Sequence, residues 1–349
     1  TAVNLTVSGD LVPSTPLSNR NMIINGAMQV WQRAESTTTT NYAGSGYATV
    51  DRWAFDPTAD AIMTTELYSM NLAELNTTGH HRAVKAVCTQ VDASVDPGHY
   101  GRIKTHLEAQ DVQQLQYGTA NAKTMTLSFW IKSNKTGTYC FSIYKADPTN
   151  YVYIREFVIS SADTWEKKTI VITPTAGSTS FMTSTAGVIN NDNALGLQLN
   201  IGLAWGSNFH GSDDAWTASN HYATSNQVNW FDSTSNNLYL TGVQLELGSN
   251  TTPFEHRSYG DELIRCCRYY EKSTGEFMWS YPINLTAGYR RAPVPFKVTK
   301  RANPTCVGTG APTITGIQSV GKGGFVIYWD AQSSSQYCEV QSWTASSEL

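Results

Sequence analysis

Hydrophobic and polar residues alternate with a period of two along most of the chain. The clearest case is LGLQLNIGL (195–203), where Leu195, Leu197, Leu199, Ile201 and Leu203 alternate with Gly, Gln, Asn and Gly. That spacing predicts a strand with one buried face. MTLSFWIKSN (125–134) puts Met125, Leu127, Phe129 and Ile131 on one face and Thr126, Ser128 and Trp130 on the other. TYCFSIYK (138–145) follows across KTG, which predicts a hairpin turn. VDRWAFD (50–56), YVYIREFVIS (151–160), WEKKTIVITP (165–174) and LYLTGVQLEL (238–247) complete a first group of strands, and a second group falls at 277–283, 292–300, 313–320, 324–330 and 336–343.

Helical patterning is scarce. MNLAELNTT (70–78) predicts one turn or two, and SYGDELIRCCRYYEK (258–272) predicts the longer helix. There Ser258 and Asp261 have capping-box spacing, Leu263, Cys267 and Tyr270 share one face, and Gly275 can end the element. Many short strands separated by turns predict an all-β protein: a β-sandwich, then a short helix, then a smaller distal β domain. The expected division is an extended N-terminal arm and attachment segment over 1–47, the sandwich over 48–257, a helical joint over 258–275 and the distal domain over 276–349. The distal part is small for an independent core, so it is expected to pack on the sandwich or on symmetry mates.

Composition narrows the function classes. The chain has 349 residues, and its 15% charged residues fall well below the ~25% of ordinary globular proteins. Thr, Ser, Asn and Gly take the place of the missing charges. Net charge is −4 with no basic run, which argues against binding to a nucleic-acid backbone. No apolar stretch reaches the ~18 residues of a membrane span, and no signal peptide is legible at the start, which is Thr1. The six cysteines (Cys88, Cys140, Cys266, Cys267, Cys306 and Cys338) are thinly spread without C-x-x-C spacing, and they read as buried free thiols rather than a disulfide frame.

Candidate chemistry concentrates in AWGSNFHGSDDAWTASNHYATSNQVNWFD (204–232). A sugar site needs flat ring faces against pyranose C–H groups and planar carboxylates or amides for vicinal hydroxyls. Trp205, His210, Asp213, Asp214, Trp216, Tyr222 and Trp230 supply both types in one long loop. The same rings could instead pin the loop to the sandwich. Asp213, Asp214, Asp232 and NNDN (190–193) are oxygen donors that could hold a structural Ca2+; no other cofactor is expected. His80, His81, His99 and His106 lack zinc-enzyme spacing and read as surface or strand-end residues. No G-x-S-x-G, phosphate loop or G-x-G-x-x-G is present, so no catalytic residue is assigned.

A series of segments then becomes informative: NMIINGAMQVWQR (21–33), TVDRWAF (49–55), MTLSFWIKSNKTGTYCFSIYK (125–145), TWEKKTIVITP (164–174) and YLTGVQLELGSNTTPFEHRSYGDELIRCCRYYEK (239–272). In this order they resemble a family of phage tail-fibre and other virion structural proteins, many from marine and cyanobacterial phages and prophages. The likeness covers residues 21–275, and its first and last segments are the specific ones; the middle segments are shared with the jelly rolls of carbohydrate-binding modules generally. It implies a jelly-roll sandwich, a homotrimer, adsorption to host surface polysaccharide without catalysis, location in the virion after assembly in the host cytoplasm, and an N-terminal arm that meets other tail or capsid proteins. With a trimer implied, the 258–272 helix is expected at the threefold axis, with Leu263, Cys267 and Tyr270 packed there. A structural decoration protein without a ligand and a capsular depolymerase are the competing readings.

Overall fold

The computed structural model describes residues 18–33, 40–42, 46–58, 60–273, 280–282, 289–311, 313–330 and 337–349. The expected arm over 1–17, most of the loop at 34–45 and most of the strand at 277–283 lie outside the described residues.

Two six-stranded antiparallel sheets form the larger module. The first runs β1 (Thr40–Tyr42), β3 (Ile62–Ser69), β4 (Arg82–Gln90), β12 (Asn237–Leu247), β6 (Met125–Ser133), β9 (Glu166–Ile172). The second runs β11 (Ala215–Thr217), β8 (Tyr151–Ile159), β7 (Gly137–Lys145), β10 (Leu195–Trp205), β5 (Tyr100–Glu108), β2 (Trp53–Pro57). The chain crosses from sheet to sheet at β1–β2, β2–β3, β4–β5, β5–β6, β6–β7, β8–β9, β9–β10 and β11–β12, which makes a jelly-roll sandwich. The alternating residues predicted to face inward do so: Met125, Leu127, Phe129, Ile131, Leu197, Leu199, Ile201 and Leu203 are all buried in one core with Trp53, Phe55 and Phe141.

KTG does not close a hairpin. β6 pairs with β9 and β12, while β7 pairs with β8 and β10, so the turn arches between the two sheets. Gly137 supports the arch: its φ is +129°, and a Cβ there would lie 2.4 Å from Val228 Cγ1. β3, β4 and β5 go beyond the predicted strands. Threonines on the inward face (Thr65, Thr105) and long charged side chains on the outward face dilute their alternation.

The first helix, α1 (Leu72–Thr78), carries a full capping box between Asn71 and Glu74 and ends at left-handed Gly79. Its Glu74 carboxylate also accepts from Lys132 at 2.6 Å, Tyr68 at 2.8 Å and Trp165 at 3.0 Å, which ties the helix to the outer face of the first sheet.

The distal module is a small double layer. β19 (Tyr337–Ser346) is flanked by β13 (Tyr270–Lys272) and β14 (Ser280–Pro282) on one edge and β16 (Thr305–Ala311) on the other. β15 (Arg290–Pro295), β18 (Gly324–Trp329) and β17 (Gly316–Gly321) form the second layer. Val294, Phe325, Ile327, Trp329, Val340 and Trp343 share a separate core between the layers. None of the six cysteines is paired, and five are buried.

The joint begins at α2 (Tyr259–Cys267). Ser258 caps it, accepting from the Asp261 amide at 3.1 Å and donating to the Asp261 carboxylate at 2.7 Å. The helix stops at Cys267 rather than running on to Gly275, because Tyr270–Lys272 is recruited as a strand edge of β19 and tertiary pairing outweighs local propensity. Of the three residues expected at a threefold axis, Cys267 is spent inside the chain and Tyr270 is half-buried. Cys267 is fully buried with its Sγ toward Gln32, and Tyr270 lies under the Arg33 guanidinium at 3.7 Å. Leu263 is half-buried in a cleft of about 290 Å³ with Trp31 and Leu67.

The distal module packs on the sandwich of its own chain through charges. Arg52 is 1% exposed and pairs with Glu348 near the chain end; its other Nη donates to the His106 carbonyl at 2.6 Å, and the Tyr269 ring covers it at 3.4 Å. Arg33 bridges Glu348 and Asp51, each at 3.0 Å. Arg268 grips Glu108 through two bonds of 2.6 and 2.7 Å, and fully buried Lys300 holds Glu271 at 2.6 Å. Removing one member strands its partner in low dielectric, so Arg52→Ala is expected to cost ~3–5 kcal/mol. Urea unfolding of the variant beside wild type checks this; a loss below ~1 kcal/mol would refute the role given to the pair.

Candidate functional site

The loop after β10 folds over the outer face of the second sheet. Outward side chains of β5, β7 and β8 meet it there, forming an aromatic and apolar cluster apart from the main core. Trp205 sits at its centre, 6% exposed, stacked on Tyr222 at 4.9 Å and on Tyr100 at 5.1 Å, with the Phe209 edge at 5.2 Å. The Arg102 guanidinium stands over Tyr100 at 4.8 Å and within 6 Å of Trp205 and Tyr222. Asp56 holds Arg102 at 2.9 Å and Lys104 at 2.8 Å, so the cation is fixed in place. Tyr100, Tyr144, Phe209 and Tyr222 are half-buried and keep part of their rings toward solvent.

Polar atoms beside the stack lack partners. Trp205 Nε1 and both polar atoms of the Gln227 amide are buried without a hydrogen bond among the described residues. Both nitrogens crowd Gly202: a Cβ there would lie 2.4 Å from Trp205 Nε1 and 2.9 Å from Gln227 Nε2, so only glycine fits beneath them. Buried amides and indoles of this kind are nearly always satisfied. An N–H donor, an amide donor and an amide acceptor thus converge beside half-exposed rings.

A directional polar chain runs across the same face. Tyr47 donates to His106 Nδ1 at 2.7 Å, His106 Nε2 donates to Gln198 at 3.0 Å, and Gln198 donates to Asn200 at 2.7 Å. Asn200 reaches the Ser142 hydroxyl at 3.3 Å. The acceptor at Gln198 Oε1 fixes the neutral imidazole with its proton on Nε2. Burial pushes His106 down to about 3, and nearby Arg52 and Lys104 add to this.

The loop residues singled out in the sequence divide. Trp205 and Tyr222 belong to the cluster, and His210 supports it by donating to the Trp205 carbonyl at 3.0 Å. Trp216 and Trp230 do not reach the surface. Trp216, 2% exposed, donates to the Thr173 carbonyl and packs against Tyr117 and Tyr153; Trp230, fully buried, donates to the Asn237 carbonyl. Both rings fill the space between the sheets, where the apolar gain is largest. Asp213 and Asp214 lie at the β8 edge, bound to Arg155, the Glu156 amide and the Tyr153 hydroxyl. Tyr100, Arg102 and Tyr144 went unrecognised because their strands are distant in sequence from the loop, and Gln227 because nothing in the loop's composition set it apart from the other polar residues; Tyr100 and Arg102 at alternate positions of β5 were the available signal.

The oxygen donors considered for calcium meet partners within the protein. Asp213 is held by Arg155, Asp232 by Lys135 at 2.5 Å, Asp192 caps the Ala194 amide, and Asn190 bonds Asp147. Among the described residues no helix is long and apolar enough to cross a membrane.

No protein-family model and no curated protein matches the chain. Solved structures overlap it in part. The family 11 carbohydrate-binding module of the cellulosomal cellulase Lic26A-Cel5E of Clostridium thermocellum aligns over 62% of this chain and 100% of its own, at 11% identity and a TM-score of 0.31. The module TmCBM61, solved with β-1,4-galactotriose, aligns over 66% and 100% at 9% identity and 0.30. The enzymatically active domain of tailspike protein 4 from bacteriophage CBA120 aligns over 65% of this chain at 10% identity and 0.31, and only 21% of that chain is covered. The jelly-roll assignment rests on the strand order itself.

Two outcomes test these placements. Trp216→Ala and Trp230→Ala are each expected to cost ~3–5 kcal/mol in urea unfolding, whereas half-exposed Tyr222→Ala should cost clearly less; equal losses would mean that Tyr222 is core. Acid should also weaken the fold. Burial pushes His80 down to about 4, with His256 and Lys167 contributing, and His106 to about 3. A histidine depressed in the native state contributes stability that is whole above the unfolded value of 6.5 and is lost as pH falls toward the native one. His80 alone should cost on the order of 2 kcal/mol between pH 7.5 and 4.5. His80→Phe should flatten urea-derived stability across that window by about one proton's worth; an unchanged slope would refute it.

Proposed function

We propose that this chain is a non-catalytic, glycan-binding module of a phage fibre-type virion protein, which attaches the particle to host surface polysaccharide. One observation carries the binding half of this reading. Half-exposed Tyr100, Tyr144, Phe209 and Tyr222 surround a fixed guanidinium and unpartnered indole and amide groups on one sheet face. Flat rings meet the C–H face of a pyranose, and the Arg102 guanidinium beside them offers N–H donors to its hydroxyls. The virion half rests on the sequence likeness of 21–33 and 239–272 to virion proteins. Those two segments clasp each other in the fold, so the likeness concerns architecture and not the ligand.

Trimerisation belongs to the proposal with changed residues. Tyr259 and Ile264 are the exposed apolar residues of α2, at 57% and 54%, and are free for a partner where Cys267 and Tyr270 are not. Three copies would multiply weak sugar contacts through effective concentration. The competing decoration-protein reading predicts no sugar binding at all.

The purified chain on a glycan array and on host cells, beside Tyr222→Ala and Tyr144→Ala, tests this. Binding in wild type that falls at least tenfold in the folded variants is expected. Absence of binding to any glycan or cell overturns the reading in favour of a structural role. Release of reducing ends from polysaccharide would overturn the non-catalytic assignment.

A further inference from the structure

Asp60 comes from the turn before β3 and Asp92 and His99 from the two ends of the β4–β5 loop, and they bring one ligand atom each to within 4.8 Å of the others. Asp60 precedes β3, Asp92 follows β4, and His99 stands directly before β5. The imidazole Nδ1 lies 3.3 Å from Asp60 Oδ2 and 3.4 Å from Asp92 Oδ2. Charge-assisted N–H···O bonds close to ~2.7–2.9 Å, and one Nδ1–H serves only one carboxylate well. Both distances instead suit neighbouring ligands around one ion at ~2.0–2.2 Å from each, which stand ~3–3.5 Å apart.

Asp92 supplies an independent observation. Its side chain is 7% exposed, and the only donor its carboxylate meets among the described residues is His99 at 3.4 Å. A carboxylate so buried ordinarily gathers strong donors or a cation. Its backbone is pinned on both sides, with the amide donating to the Phe231 carbonyl at 3.0 Å and the carbonyl accepting from Asn229 at 2.7 Å. The carboxylate is therefore aimed at the cluster and left there without a close partner. Asp60 is 61% exposed, so one side of the group is open to solvent.

We propose that Asp60, Asp92 and His99 form a zinc site with three protein ligands and a solvent-open position. An imidazole nitrogen favours a borderline first-row ion, and three ligand side chains are few for calcium, which takes six to eight oxygens. The ion fastens the turn before β3 to the β4–β5 loop. It also steadies the aromatic cluster, because the His99 carbonyl accepts from the Gly206 amide at 2.8 Å, next to Trp205, and Tyr100 follows His99 directly. The site stands independently of glycan binding.

The test is isothermal titration of the chelator-stripped full chain with ZnCl2 and, separately, CaCl2, for wild type, His99→Gln, Asp60→Asn and His256→Gln. Asp60 is exposed, so its variant stays folded, which circular dichroism checks. One Zn2+ per chain is expected, weakened at least tenfold in His99→Gln and Asp60→Asn and unchanged in His256→Gln. No zinc binding, or zinc affinity unchanged in either His99→Gln or Asp60→Asn, overturns the proposal. So does a calcium site that tolerates His99→Gln while zinc does not bind.

Discussion

A guanidinium buried to 1% exposure must find an anion, and Arg52 finds one at the far end of the chain. Glu348 reaches it only if the last strand, β19, is in place, and β19 is in place only when β13, β14 and β16 line its edges. The pair thus makes the distal module part of the sandwich rather than an appendage. Arg33, Asp51, Glu108, Arg268 and Arg301 extend the contact on both sides, and Arg301 alone binds three carbonyls, at Asn193, Ser347 and Glu348. Burial also raises Asp51 to about 6, against the pull of Arg33, so this carboxylate ionises at a cost in the native state.

The end of β12 at Leu247 and the placing of α2 after it follow from a second set of contacts. The Val243 amide donates to the Gly26 carbonyl at 2.9 Å, and a Cβ on Gly26 would sit 2.1 Å from the Val243 oxygen. Asn25 is fully buried and fully satisfied: its side chain bonds the backbone of Gln29, Val30 and Asp51, and its amide donates to Glu262 of α2 at 2.6 Å. Arg257 donates to the Asn21 and Ile23 carbonyls. The joint is a clasp between the start of the sandwich and its end, and the helix is the bolt.

Aromatic residues take two roles in the sandwich that composition cannot separate. Trp53, Trp216 and Trp230 are mortar between the sheets. Trp205 is a hub whose two faces are already used by tyrosines, so the rings left for a ligand are its smaller neighbours. A tryptophan with both faces stacked contributes rigidity to such a site, and its indole N–H contributes direction.

Period-two alternation marked β6, β7, β8, β9, β10 and β12, where one face is apolar and the other is not, and missed β3, β4 and β5, whose alternation is diluted by threonines and long charged side chains. Composition likewise argued against a nucleic-acid partner, and Ser258 with Asp261 marked the start of α2. What alternation could not decide was pairing. KTG looks like a hairpin until β6 is seen bonded to β9 and β12, since a turn's local chemistry does not say whether its strands share a sheet. Helical spacing put Tyr270 beside Cys267, but a long-range strand edge captured it. The same limit governs the site. Tyr100 and Tyr144 are distant from the loop that carries Trp205, Tyr222 and Gln227, as Asp60 is from the loop that carries Asp92 and His99, and they become neighbours only through the register of strands and the loops that follow them. Burial per residue is a local property that the sequence encodes; convergence of residues distant in sequence is set only when the sheets close.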